Sequence, residues 1–292
     1  MASYEDCVAG PLEGHVERRE ALLKLERVTQ SFRMNNGVEL VVLKELDLEI
    51  IDIKFKPQIV SLLGPSGSGK TTALRIIAGL DKPKFGQVLI GDGEQGSLRR
   101  VRAGDVGVVF QRYPLFDDLR VVDNLVEPAV RIGKMSRKEA LDQALQYLDR
   151  FNLVRQGYSW PVQLSGGQRQ RVAILQQLIT GKKFIVLDEP FSGLDPISVS
   201  NAIQLISEIA HQHTLNTFII VTHDVSAALL ISDHVYLLGR ERDEKGNPLP
   251  GARVVKVYDL IAEGIAYRDN MEDLPRYREL YKQICRKDFP LL

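Results

Sequence analysis

The hydrophobic positions of this 292-residue chain change their period along its length. Residues 22–32 and 38–50 alternate apolar with polar side chains, the period-two pattern of half-buried strands, and predict an antiparallel β-subdomain. From residue 59 onward the signal becomes short, unbroken apolar runs at 59–63, 106–110 and 184–187, with a further one closed by Val221 and Thr222. Runs this short and continuous suit strands buried on both faces, as in a parallel sheet covered by helices. Helical patterns follow the first run at 72–80 and precede the third at 172–179, and the stretch 112–163 is rich in helical periodicity. Residues 136–151 give the clearest case. Ser136 is an N-cap candidate, Glu139 stands at the capping-box position, and Ala140, Leu141, Ala144, Leu145 and Leu148 recur every three or four residues.

The loop after the first buried run carries the strongest chemistry. Gly64-Pro65-Ser66-Gly67-Ser68-Gly69-Lys70-Thr71-Thr72 fits G-x-x-x-x-G-K-[ST] between a strand and a helix, the context that a nucleoside-triphosphate phosphate loop requires. Its glycines let the backbone turn tightly and bring N–H groups against phosphate oxygens, and the helix N-terminus adds a partial positive charge. Lys70 is placed to reach the β- and γ-phosphates, and the Thr71 hydroxyl to coordinate Mg²⁺. Further downstream, Gln111 ends the second buried run, and Leu164-Ser165-Gly166-Gly167-Gln168 opens a helix. Asp188-Glu189-Pro190 ends the third run, Ser192-Gly193-Leu194-Asp195 follows, and Val221-Thr222-His223-Asp224 closes another strand. A carboxylate at the carboxyl end of a strand beside the phosphate-loop strand is placed to hold Mg²⁺, which suits Asp188; Glu189 projects differently and is placed to polarise water.

In this order the six motifs resemble those of the ATP-binding cassette (ABC) family over residues 22–238. The resemblance implies an α/β fold: a P-loop NTPase core with an antiparallel β-subdomain and an inserted α-helical subdomain at about 112–163. An N-terminal extension (1–21) and a C-terminal extension (239–292) flank it. It implies ATP hydrolysis with Glu189 as catalytic base, His223 as the switch residue on the γ-phosphate, and Gln111 sensing Mg²⁺ and the attacking water. Nucleotide contacts are expected from Gly64, Pro65, Ser66, Gly67, Ser68, Gly69, Lys70, Thr71 and Thr72. Metal contacts are expected from Thr71, Gln111 and Asp188. It further implies a head-to-tail homodimer or pseudo-dimer in which Ser165, Gly166, Gly167 and Gln168 of one subunit close on ATP held by the other, with Asp195 at the interface.

Two places depart from the family pattern. An aromatic ring normally stacks on adenine about thirty residues before the lysine; the candidate is Phe32, further upstream, and it serves equally as a strand core residue. After the signature helix, Gln176-Gln177-Leu178-Ile179-Thr180-Gly181-Lys182-Lys183 replaces an Ala-Arg-Ala and Pro pattern.

Composition narrows the context. Lys plus Arg and Asp plus Glu both number 38, so the net charge is zero and the electrostatic mark of a nucleic-acid binder is absent. No run approaches the roughly 18 apolar residues of a membrane span. The N-terminus carries Glu5, Asp6 and Glu13 without an apolar run, unlike a secretory signal. Cys7 and Cys285 have no metal-ligand spacing, which suits a reducing cytosol. His211 and His213 at i and i+2 do not share a helix face and read as solvated surface.

With a family resemblance and no span, the expectation is the ATPase subunit of a transporter, cytoplasmic and peripheral on the inner face of the cell membrane, paired with transmembrane permease subunits. Tyr113, Pro114, Leu115 and Phe116, directly after Gln111, are expected to line the docking groove on the helical lobe. The segment 120–163 looks most like importers of small polar solutes, amino acids or anions. A lipid-trafficking or export system, a soluble non-transport cassette and a phosphotransferase are the rivals. The tail from 239 onward offers a turn at Gly246-Asn247-Pro248, a strand at 252–258, and helical spacing of Leu274, Tyr277, Leu280, Tyr281 and Ile284, expected to pack on the core.

Overall fold

The computed structural model describes residues 21–53, 56–91, 98–211, 217–266, 268 and 270–289. The N-terminal extension, Cys7 and His213 lie outside them, apart from Ala21.

Two sheets organise the chain. The first holds β2 (Glu39–Ile51), β1 (Ala21–Arg33), β4 (Phe85–Gly91) and β5 (Leu98–Arg100), in that order and antiparallel throughout. Alternation in β1 and β2 buries Leu23, Leu25, Leu43, Leu46, Leu48 and Ile50 on one face. The second sheet runs β10 (Arg253–Asp259), β9 (His234–Gly239), β3 (Gln58–Leu63), β8 (Thr217–Thr222), β7 (Phe184–Asp188) and β6 (Val106–Val109). From β9 to β6 it is parallel, and β10 adds an antiparallel edge. Every residue of β3 and β8 is buried, as continuous apolar runs require.

Helices cover both faces. The helix α1 (Lys70–Ile77) packs its Ala73, Leu74, Ile76 and Ile77 into a cluster between the two sheets. On the other side α2 (Val121–Arg131), α3 (Arg137–Arg150) and α4 (Gly166–Leu178) form a lobe that shares one core with α5 (Pro196–His211) and the far face of the sheet. The expected start of α3 is realised in full: Ser136 Oγ accepts from Glu139 N at 3.3 Å, and Glu139 Oε2 accepts from Ser136 N at 2.9 Å. Helix α4 begins at Gly166 with Ser165 as its N-cap, where the 164–168 motif is expected to open a helix, and its polar first turn runs into the apolar stretch from Val172.

The tail belongs to the core. Helix α7 (Pro275–Gln283) lays Tyr277 and Leu280 against Val225, Ala228 and Leu229 of α6 (Val225–Ile231). A short π-helical turn, Ile284–Asp288, then brings Asp288 to Tyr258 and to Lys256 on β10. Burial raises the Asp288 carboxyl, but the Tyr258 hydroxyl, Lys256 and Gln283 together leave it below its ordinary value.

Candidate active site

The strand order puts four sequence motifs at one edge of the sheet. In β3, β8, β7 and β6, neighbours in space, the carboxyl ends lead into Gly64, His223, Asp188–Glu189 and Gln111 respectively. Register tightens the grouping: Leu63 pairs with Thr222, Asp188 with Val221, and Val109 with Leu187. Loops that follow the carboxyl ends of parallel strands are where open α/β sheets bind ligands.

The phosphate loop owes its path to glycine at two positions for different reasons. A Cβ on Gly64 would stand 2.6 Å from the Leu238 carbonyl and 2.7 Å from Ser68 Oγ, so no side chain fits. Gly69, the N-cap of α1, has φ +91, in the left-handed region, and a Cβ there would stand 2.9 Å from a Val42 methyl. Ser68 Oγ is buried without a hydrogen-bond partner. Lys70 folds over the loop: its Nζ donates to the carbonyls of Gly64 at 2.8 Å and Pro65 at 3.0 Å. Burial pushes the Lys70 ammonium below its usual range, although Glu189 and Asp188 pull the other way.

Around Glu189 the contacts are dense. Its Oε1 lies 3.6 Å from Lys70 Nζ, and its Oε2 lies 2.8 Å from His223 Nδ1 and 3.4 Å from both the Thr222 hydroxyl and the His223 amide. The backbone here is strained, with φ +47 at Glu189, and is held by its N–H donating to Val221 O at 2.8 Å. Asp188 is half-buried beside it. Desolvation and then the Glu189 charge raise its carboxyl above the ordinary aspartate range, and Lys70 offsets them only in part. Such a carboxylate is energetically incomplete without more positive charge. Thr71 at the first turn of α1 and Gln111 just after β6 are both exposed.

Away from this edge, Ser165 caps α4 with a reciprocal pair: its Oγ accepts from Gln168 N at 3.3 Å and its N–H donates to Gln168 Oε1 at 3.0 Å. Ser165, Gly166 and Gly167 are exposed, and nothing lies within 4 Å of a Cβ built on either glycine. Asp195 opens α5, accepting from the N–H groups of Ile197 and Ser198 at 3.0 and 3.1 Å. Phe32 is 44% exposed, so it is not a strand core residue. It pairs across the hairpin with Leu40, two residues before the Val42 that borders Gly69.

The four residues expected to line a groove divide. Pro114 and Phe116 are exposed, whereas Tyr113 and Leu115 pack against the core, and the Tyr113 hydroxyl donates to Pro190 O at 2.8 Å. That bond spans 77 residues and leaves no local sequence signal. Gln176, within the departure from the family pattern, is buried and donates to Asn124 O at 3.2 Å, joining α4 to α2. His211 is exposed, with its Nδ1 2.7 Å from Ser207 O. Among the described residues no three His, Cys, Asp or Glu side chains form a metal cluster, and no helix is long and apolar enough to cross a membrane.

This arrangement has relatives. The family model described as ABC transporter matches residues 48–192. The L-cystine import ATP-binding protein TcyC of Bacillus subtilis is 33% identical over 235 residues, which cover 78% of this chain and 91% of that protein. The chain belongs to the ABC transporter family. The lipoprotein-releasing system ATP-binding protein LolD 1 of Chlorobium chlorochromatii is 34% identical over 74% of this chain and 88% of its own length. The sulfate/thiosulfate import ATP-binding protein CysA of Brucella melitensis is 42% identical over 65% of this chain, which spans only 54% of that relative. A dimeric ATP-binding cassette solved in a post-hydrolysis state with ADP and Pi superposes with a TM-score of 0.63 at 31% identity, covering 82% of this chain and 99% of that one. The fold is therefore the P-loop NTPase α/β fold of ABC cassettes, and ATP is the nucleotide this family binds.

Proposed function

We propose that this ABC cassette hydrolyses ATP as a dimer and drives a membrane permease that imports a small polar solute. The observation that carries the enzymatic part is the convergence of Lys70, Asp188, Glu189 and His223 on one edge of the sheet. Glu189 is the general base. Its carboxylate is 17% exposed and braced by His223. Lys70 now shares its ammonium between loop carbonyls and Glu189. When a triphosphate enters, phosphate oxygens compete for that ammonium, and Glu189 is released to orient water. The orphaned Ser68 hydroxyl gains an acceptor at the same moment.

The Thr71 hydroxyl, the Asp188 carboxylate and the Gln111 amide are hard oxygen donors and fit Mg²⁺, and the raised Asp188 carboxyl favours a cation beside it. Bound there, Mg²⁺ would supply charge neutralisation to the β- and γ-phosphates.

The dimer reading rests on which core each motif belongs to. Helix α1 with the phosphate loop packs into the cluster between the sheets, whereas α4 with the signature packs into the helical lobe. The exposed N-terminus of α4 is thereby free to close on a second chain's nucleotide, and Ile197, 74% exposed beside Asp195, is available for the same contact. For the permease, the lobe presents Phe116, Tyr158, Trp160 and Val162 exposed, with Arg120 stacked 5.3 Å from the Trp160 ring centre. Such a subunit works at the cytoplasmic face of the cell membrane. The names of CysA and TcyC favour import of an anion or amino acid. The likeness to LolD 1 over most of its length keeps lipoprotein release as the second reading.

The test is twofold. Wild-type protein with ATP and Mg²⁺ should release inorganic phosphate, and label transferred instead to an acceptor overturns the hydrolase. Tagged Glu189→Gln protein, held closed by ATP, should then recover a polytopic membrane protein from detergent-solubilised membranes; recovery of soluble partners alone overturns the transport reading and leaves the ATPase standing.

A further inference from the structure

The Pro190 carbonyl, one residue beyond Glu189, accepts two side-chain hydrogen bonds. Tyr113 Oη donates from 2.8 Å and Gln170 Nε2 from 3.4 Å. The donors come from separate elements: Tyr113 from the turn that follows Gln111, and Gln170 from the second turn of the signature helix α4. Gln170 is 3% exposed, and Tyr113 is packed against the same core.

That carbonyl sits where the chain needs holding. Glu189 has φ +47, a region a side-chain-bearing residue occupies only at a cost and only when its surroundings dictate it. The proline that follows narrows its options further. On the amino side, the Glu189 N–H is fixed to Val221 O. On the carboxyl side Pro190 has no N–H to offer, so its carbonyl is the handle that remains. Tyr113 is itself strained, at φ +48, with its N–H returned to Phe110 O at 2.8 Å. Two strained turns therefore meet at a single oxygen.

We propose that Tyr113 and Gln170 are positioning residues for Glu189, holding the Pro190 carbonyl so that the strained backbone aims the carboxylate at His223. The inference rests on the hydrolase reading above.

Tyr113→Phe keeps the ring and removes only the donor. It should lower kcat for ATP hydrolysis about three- to tenfold, the scale of one hydrogen bond, with the Kd for ATP unchanged. Gln170→Leu should act in the same direction, and the double variant should lose more than the product of the two, since the buried carbonyl is then left unpaired. In the Glu189→Gln background, Tyr113→Phe should change the residual rate no further; a purely structural defect would lower both backgrounds alike. An active wild type whose kcat is untouched by either single variant overturns the inference, as does an equal drop in both backgrounds. Wild-type protein that binds ATP without releasing phosphate overturns the hydrolase reading and this inference with it.

Discussion

Oε2 of Glu189 lies 2.8 Å from Nδ1 of His223, and the contact joins the carboxyl ends of two paired parallel strands. Because β7 and β8 are fixed by five register pairs, the two side chains are brought together by the sheet and not by their loops alone. Glu189→Gln keeps the shape and the contact but cannot accept a proton. Turnover should fall by at least about a hundredfold, the typical worth of general-base catalysis, while an equilibrium titration finds ATP affinity retained. Loss of affinity on the same scale would assign Glu189 to binding instead.

Asp188 gives a pH-dependent prediction. Its folded-state carboxyl is raised, so the ligand-free fold prefers it protonated. That contribution is fully present below the unfolded carboxyl value and is lost as pH rises through the raised one. At neutral pH the ionised carboxylate therefore costs the empty protein stability. Asp188→Asn removes that cost, and the ligand-free melting temperature at pH 7 should rise by about 2–4 °C, the shift about 1 kcal/mol produces in a chain of this size. The advantage should shrink as pH falls into the acid range and the native side chain takes up its proton. Metal-dependent phosphate release should be lost in the same variant.

Two glycines of the loop separate space from strain. Gly64→Ala forces a Cβ to within 2.6 Å of the Leu238 carbonyl, and the loop must move. Gly67 has φ +80 but nothing within 4 Å of its Cβ position, so Gly67→Ala costs only about 1–2 kcal/mol of backbone preference. Calorimetric titration with ATP should find binding abolished in the first and weakened by at most about 5- to 30-fold in the second.

How much of this was legible in the sequence depended on how local the cause was. The run 59–63 and the loop after it declare themselves because strand burial, tight turning and phosphate chemistry all act within a few residues. Ser136 with Glu139 is legible for the same reason. Strands β4 and β9 escaped notice, since Phe85–Gly91 begins with an exposed phenylalanine and a glycine, and His234–Gly239 follows its helix too closely to stand out. The bond from Tyr113 to Pro190 is tertiary, and it ties a half-buried residue of the expected groove to the segment after Glu189. Gln176 reads as a departure from pattern, yet its amide is buried on α2.

The tail supplies a stability prediction. Leu280 is 1% exposed and packs with Val225, Ala228 and Leu229, the helix directly after His223 and Asp224. Leu280→Ala should cost about 2–5 kcal/mol, seen as a melting temperature lower by about 5–15 °C. An unchanged melting temperature would mean that α7 is not part of the cooperative core.

Ser165 tests the assembly. Ser165→Arg places a long cation at the exposed start of α4 and removes a cap, which costs the isolated subunit about 1 kcal/mol. If the signature closes on a partner's nucleotide, this variant should bind ATP and fail to hydrolyse it, as Glu189→Gln does for a different reason. Mixing the two inactive proteins decides the geometry. In a head-to-tail heterodimer one site joins the native Glu189 of the first variant to the native Ser165 of the second, and that site is whole. Random exchange makes half the dimers mixed, with one working site in each, so phosphate release should return to about a quarter of the wild-type rate. If signature and phosphate loop serve the same chain, both sites stay broken in every dimer and mixing restores nothing.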